Sequence, residues 1–240
     1  MGVYDKKRIF IGQYEYLQNG NTYCEENFEL MENIISHNIT YHAELISRSD
    51  TGQVLRSHVD YELLENLKPL QIRIKHFLGA TNTEEIFQFN SKDNMINYTW
   101  IKGNEKITDS KIIQKKFVVA TPATICMGII ALNKKLDTSL PRSPLAIIKT
   151  NNFIDYQGGL IEETLYLSYE MREREIIQIA EKDHECIECK IYPTDNLNVD
   201  PRTAFPIIMK LNRKFAIPFK LSFGDNAEIC IRKFKEMLAP

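Results

Sequence analysis

The chain has 240 residues, 43% of them hydrophobic, with a formal net charge of −2 and a pI near 6.2. That apolar content excludes a disordered chain, and the faintly acidic balance speaks against nucleic-acid binding, which takes a basic stripe and a pI above about 9. Five cysteines, Cys24, Cys126, Cys186, Cys189 and Cys230, make an odd count in a chain large enough to need no disulfide framework, so reduced thiols are expected.

The opening Met-Gly-Val-Tyr-Asp-Lys-Lys-Arg lacks an apolar core of signal-peptide length, and no run approaches the ~18–20 apolar residues of a membrane span. As written, the chain is expected to be soluble and cytoplasmic, or periplasmic if a signal peptide was removed. Lys6-Lys7-Arg8, Lys115-Lys116 and Lys134-Lys135 are too short to be interaction tails and read as solvated surface.

Ile9 to Leu17 and Thr22 to Met31 alternate apolar and polar residues around Asn19-Gly20, a strong hairpin signal. Asn38 to Arg48 and Gln53 to Leu63 form a second hairpin around Ser-Asp-Thr-Gly. Leu70 to Phe77 follows Pro69, which suits a strand start. Glu85 to Phe89 and Met95 to Ile101 make a further pair, and Lys102-Gly103-Asn104 turns the chain towards Ile107. Lys116 to Ala120 reads as a strand. Thr121-Pro122 then reads as an N-cap with proline in the first turn, opening a helix to about Leu136 that is apolar nearly all round and therefore buried. Strands return at Leu145 to Lys149, Ile161 to Met171, Arg174 to Ile179 and Glu185 to Tyr192. A Pro/Asp/Asn-rich loop over Tyr192 to Thr203 precedes a short amphipathic helix predicted over Phe205 to Phe215, with Ile208, Leu211 and Phe215 on one face. Pro218 to Phe223 and Ala227 to Lys233 close the chain as a hairpin around Gly224-Asp225-Asn226.

Roughly a dozen strands and two helices result, with no linker dividing residues 1–240, so one β-rich domain is predicted. Strands that follow one another without helices between them pair mostly antiparallel. The predicted architecture is mainly β: a curved, mostly antiparallel open sheet or half-barrel, with one buried helix in its hollow and one short amphipathic helix.

The central hairpin carries its own register. A three-residue loop at Asp50-Thr51-Gly52 sets Tyr41 opposite Tyr61, Ala43 opposite Val59 and Ile39 opposite Leu63, a consistent apolar face. A two-residue loop mixes apolar with charged partners, and a one-residue slip flips a whole strand. The same register puts His42 opposite Asp60 and Glu44 opposite His58 on the other face. Opposed Cβ atoms lie ~4.5–5.5 Å apart, so these four side chains are candidates for general acid–base work, with or without a metal. The plainer reading is a solvent face with cross-strand ion pairs.

Other motifs carry less. Cys186-Ile-Glu-Cys189 is half of a zinc set, and period two sends its thiols to opposite faces. Gly158-Gly159 precedes a strand and is a turn, not a phosphate cradle. Phe87 and Phe89, followed by Ile96, Tyr98 and Trp100, make a greasy sheet face, read as core packing or as the wall of an apolar cavity. No complete metal set and no cofactor motif is present.

Val59-Asp-Tyr-Glu-Leu, Leu67-Lys-Pro-Leu, Thr121-Pro-Ala-Thr, Cys189-Lys-Ile-Tyr-Pro, Ile207-Ile-Met-Lys-Leu and Ala216-Ile-Pro-Phe-Lys-Leu follow in an order that resembles an uncharacterised bacterial β-rich family similar in shape to periplasmic lipoprotein carriers. The resemblance implies a curved sheet able to hold an acyl chain and carries no agreed catalytic set. The leading expectation is a non-catalytic binding protein for an apolar or lipid-like molecule held against Phe87, Phe89, Tyr98 and Trp100. The alternative is a hydrolase or proton-transfer enzyme using His42, Glu44, His58 and Asp60. Neither nucleic acid nor a membrane span enters either reading, and oligomeric state is left open.

Overall fold

Period-two alternation runs through nearly the whole chain, and the backbone follows it. The structure, a computed structural model, describes residues 5–48, 52–132, 142–193, 206–212 and 215–237, and of 169–174 the backbone alone. The first half is a meander of eight strands: β1 (Lys6–Gln18), β2 (Asn21–Asn33), β3 (Ile39–Arg48), β4 (Val54–Leu63), β5 (Pro69–Leu78), β6 (Thr81–Asn90), β7 (Met95–Lys102) and β8 (Glu105–Ile112). Asn19 and Gly20, at φ 50° and 79°, link β1 to β2 with Gln18 opposite Asn21. Two successive left-handed residues give the twist that matches flanking strands, which is why Asn-Gly suits this loop.

The central hairpin pairs as the alternation predicts. Tyr41 lies opposite Tyr61, Ala43 opposite Val59, His42 opposite Asp60 and Glu44 opposite His58. Gly52 has φ 79°, the left-handed value expected of it, while 49–51 lie outside the described residues.

The second half comprises β9 (Phe117–Val119), α1 (Thr124–Leu132), β10 (Ser143–Lys149), β11 (Ile161–Ile179), β12 (Lys182–Tyr192), β13 (Ile207–Asn212), β14 (Pro218–Ser222) and β15 (Ala227–Glu236). β15 pairs with β1, so the described strands form one 15-stranded sheet running from β8 through β1 and β15 to β9. Every described pairing is antiparallel except β9 with β10. That pair has α1 between its strands, and a parallel pair needs such a crossover. The sheet stays open, with β8 and β9 as its edges.

Three boundaries differ from the sequence expectation. Of the amphipathic helix predicted over Phe205 to Phe215, Ile207–Asn212 is strand β13. Met209 and Leu211, two residues apart, are completely buried between β12 and β14. The segment satisfies both the helical spacing and the period of two, and the open hydrogen-bonding edges of its neighbours decide for strand. Ile161 to Met171 and Arg174 to Ile179 are one strand, β11, interrupted by a register shift between Glu170 and Glu175. Finally, α1 begins at Thr124, not after a Thr121 cap, and 133–136 lie outside the described residues. The loop predicted over Tyr192 to Thr203 lies outside them from 194 onward.

Helix α1 sits in the hollow of the sheet. Ile125, Cys126, Ile129 and Ile130 are buried, and the helix touches β3 and β14. A Cβ on Gly128 would lie 1.9 Å from the Ala216 carbonyl oxygen, so only glycine lets the helix approach the turn before β14 this closely. Its N-terminus is capped from another strand. Glu26 of β2, fully buried, accepts from the backbone N–H groups of Thr124 (2.7 Å) and Ile125 (3.1 Å) and from the Tyr16 hydroxyl. Orphan N–H groups and the positive end of the helix dipole both favour a carboxyl there. Burial nevertheless pushes Glu26 up from 4.5 to about 7, against the pull of these donors.

Candidate functional site

Four neighbouring strands present their inner faces as a lattice. β4 contributes Ser57, Val59 and Tyr61, β5 Ile72, Ile74 and His76, β6 Thr83, Glu85 and Phe87, and β7 Ile96, Tyr98 and Trp100, all buried. Most are apolar, as period two requires of a core face. Ser57, His76, Thr83 and Glu85 are polar residues in apolar phase.

The register brings them together. Ser57 is directly opposite His76, and its Oγ lies 2.8 Å from the imidazole Nδ1. Glu85 is opposite Ile74 and Trp100, diagonal to His76 on one side and to Tyr98 on the other. Diagonal neighbours lie within reach of long side chains. The Tyr98 hydroxyl donates to Glu85 Oε2 at 2.7 Å, and the His76 Nε2 lies 4.0 Å from Glu85 Oε1.

The segment between β10 and β11 folds over this lattice. The Thr150 hydroxyl donates to Glu85 Oε2 (2.5 Å), and the Asn152 Nδ2 donates to the Tyr98 hydroxyl (3.0 Å). Trp100 Nε1 donates to the Asn152 carbonyl (3.0 Å) and Thr83 Oγ1 to the Phe153 carbonyl (2.7 Å). Phe153 meets the His76 ring edge-on at 4.3 Å between centroids. Leu160 N–H donates to Asp109 of β8 (3.1 Å), so the same segment ties the β8 edge to the far end of the sheet. A pocket of about 470 Å³ opens between this strap and the residues that lead into α1. Ile74, His76, Glu85, Pro122, Thr150 and Phe153 are among its walls.

Burial governs the ionisation of the pair. It pushes the His76 imidazole down from 6.5 to about 4, so the ring is neutral near pH 7. Burial raises Glu85, while the Thr150 and Tyr98 hydroxyls oppose the shift.

Of the residues singled out from sequence, Tyr98 joins this polar group through Glu85 and the others lie beside it or on the opposite face. Phe87, Tyr98 and Trp100 are each 1% exposed and form the layer beside the polar group, and Phe89 is half-buried against Phe117, ring centroids 5.2 Å apart. His42, Glu44, His58 and Asp60 lie on the outer face, 29–53% exposed. His42 Nδ1 bonds Asp60 Oδ1 at 2.7 Å, which raises the histidine and lowers the aspartate. Glu44 Oε1 stands 3.7 Å from both His42 Nε2 and His58 Nδ1. Among the described residues no three His, Cys, Asp or Glu side chains converge to hold a metal ion. The five cysteines are free thiols, and burial pushes Cys24 and Cys189 up to about 12. Cys186 pairs with Asn212 and Cys189 with Met209, an odd spacing that separates their faces. Among the described residues no helix is long and apolar enough to cross a membrane.

The sequence reading missed Ser57, His76, Glu85, Thr150 and Asn152. A signal for the first three was present: each falls in phase with the apolar residues of its strand. Nothing in the sequence marks Thr150 and Asn152, which arrive from a loop.

The fold defines an open, barrel-like β protein. It is similar to the β-barrel-like protein of the domain of unknown function DUF1849 from Brucella abortus, at TM-score 0.62 and 10% identity, over 96% of this chain and 98% of that one. It is also similar to a DUF1089 family protein from Pseudomonas aeruginosa, at TM-score 0.52 and 7% identity, over 85% and 91%. These likenesses concern the fold alone. No family model and no curated protein matches the sequence.

Proposed function

We propose that the protein binds a small, largely apolar molecule without transforming it, and that the molecule sits in the 470 Å³ pocket under the 150–160 strap. The volume lies in the ~300–1,000 Å³ range of small-molecule sites. One observation carries the reading: apolar walls (Ile74, Pro122, Phe153) and a buried His76–Glu85 pair share one concavity. Apolar lining with a few convergent polar groups is the usual composition of a ligand site. Phe87, Tyr98 and Trp100 stiffen the floor behind it, and Phe89 extends the greasy layer towards Phe117. A lipid-like ligand enters with its chain against these walls.

Trp100 is the only tryptophan, and its indole is bonded to the strap, so its emission reports on the pocket. Titration with linear eight-carbon compounds should give a saturable change with a stoichiometry of one, and an organic extract of natively purified protein should contain a bound apolar molecule. No saturable change together with an empty extract would refute the reading.

A further inference from the structure

The pocket has one polar corner, and its geometry is specific. Ser57 is buried, and among the described residues its hydroxyl has no acceptor but His76 Nδ1. A buried hydroxyl keeps its proton bonded, so it donates to that nitrogen, and the neutral ring carries its own proton on Nε2. Nε2–H is therefore the donor on the pocket side. Opposite it stands Glu85 Oε1. Both described donors to this carboxylate, Tyr98 and Thr150, go to Oε2, which leaves Oε1 as an open acceptor. Donor and acceptor are 4.0 Å apart, too far to bond each other. One oxygen at roughly 2.8 Å from each can bond both, with the two directions about 90° apart, within about 20° of the tetrahedral angle at a hydroxyl.

We infer that the ligand presents a hydroxyl group to this corner, accepting from His76 Nε2–H and donating to Glu85 Oε1, so the ligand class is an apolar alcohol. This rests on the binding reading above. Each headgroup meets the pair differently. A carboxylate has no hydrogen to donate to Glu85 Oε1. An ether accepts from His76 but leaves Glu85 Oε1 without a donor. A hydrocarbon leaves both unpaired, and an ammonium confronts the His76 donor. Ser57, whose hydroxyl bonds the ring and which is not among the pocket walls, is a positioning residue that fixes the tautomer.

The test compares 1-octanol with octyl methyl ether, octane, octanoate and octylamine on the wild-type protein, read by Trp100 emission and calorimetry. Sites built around a ligand hydroxyl reject analogues that lack it, and about 10- to 100-fold tighter binding of the alcohol is expected for this partly open corner. Glu85→Gln should erase that preference, bringing 1-octanol and octyl methyl ether to similar affinity. Its amide oxygen is held by Tyr98 and Thr150, which turns the NH2 group towards the ligand. Ser57→Ala should weaken alcohol binding less, and near-UV circular dichroism checks that each variant is folded. Equal binding of alcohol and ether by the wild type would overturn the hydroxyl inference and leave the binding reading standing. Octanoate or octylamine binding tighter than octanol would overturn it too. Failure of every compound to bind would sink both. The wild-type comparison decides even if a variant does not fold.

Discussion

Replacing Glu26 with alanine should destabilise the protein, and by more at pH 5 than at pH 8. The substitution strands the Ile125 N–H, leaves the Thr124 N–H only its longer bond to the Tyr16 hydroxyl (3.2 Å), and leaves that hydroxyl only the distant Pro122 carbonyl (3.4 Å) to donate to. Each unsatisfied buried donor costs about 1–3 kcal/mol. Opposing that loss is the cost of ionising Glu26 itself, whose value burial raises from 4.5 to about 7. A carboxyl raised in the folded state contributes stability fully present below its unfolded value and lost as pH rises through the folded one. The window here is pH 4.5 to about 7, and the rise corresponds to about 3 kcal/mol across it. Protonated Glu26 still has a partner, because Tyr16 can accept its proton and turn its own towards the Pro122 carbonyl, 3.4 Å away. The wild type therefore loses about 2–3 kcal/mol between pH 5 and pH 8 that Glu26→Ala does not lose. The penalty of the variant should shrink by that amount, or roughly 4–12 °C in melting temperature for a chain of this size. Denaturant titrations and thermal melts of both proteins at the two pH values measure it. An alanine variant as stable as wild type at pH 5, or a penalty independent of pH, would refute the capping account.

His76 supplies the opposite slope. Its folded value is depressed from 6.5 to about 4, so the unfolded chain takes up a proton first and stability falls as pH drops from 6.5 towards 4, by about 3 kcal/mol in all. The two slopes largely cancel in the wild type between pH 4.5 and 6.5. Denaturation across that range should show stability rising with pH in Glu26→Gln and falling in His76→Phe; parallel profiles in the two variants would contradict this. Gly128→Ala drives a methyl group into the Ala216 carbonyl and should cost about 1–3 kcal/mol, or more if the turn cannot move, seen as a lower melting temperature. His42→Ala and Asp60→Ala break an exposed cross-strand pair, and each should change stability by less than about 1 kcal/mol in denaturant titrations. A larger loss would mean that the outer face is covered in the functional protein.

The strand meander and the central register were legible in the sequence because both depend on local quantities. Side chains alternate every residue, and a left-handed turn residue such as Gly20 or Gly52 sets which residues oppose. Tyr41 against Tyr61 and His42 against Asp60 follow from those two facts. The strand at Ile207–Asn212 was not legible, since six residues can satisfy two periods at once and the exposed edges of β12 and β14 made the choice. The candidate site was half legible. Ser57, His76 and Glu85 stand in apolar phase on adjacent strands, so their juxtaposition is a property of register. Thr150 and Phe153 reach Glu85 and His76 across more than sixty residues of chain, Asn152 reaches Tyr98 across 54, and Glu26 meets α1 across nearly a hundred. Contacts of that separation have no local signature. They exist because a curved sheet must close its hollow, and the strap and the helix that fill it bring polar groups which have to find partners out of water.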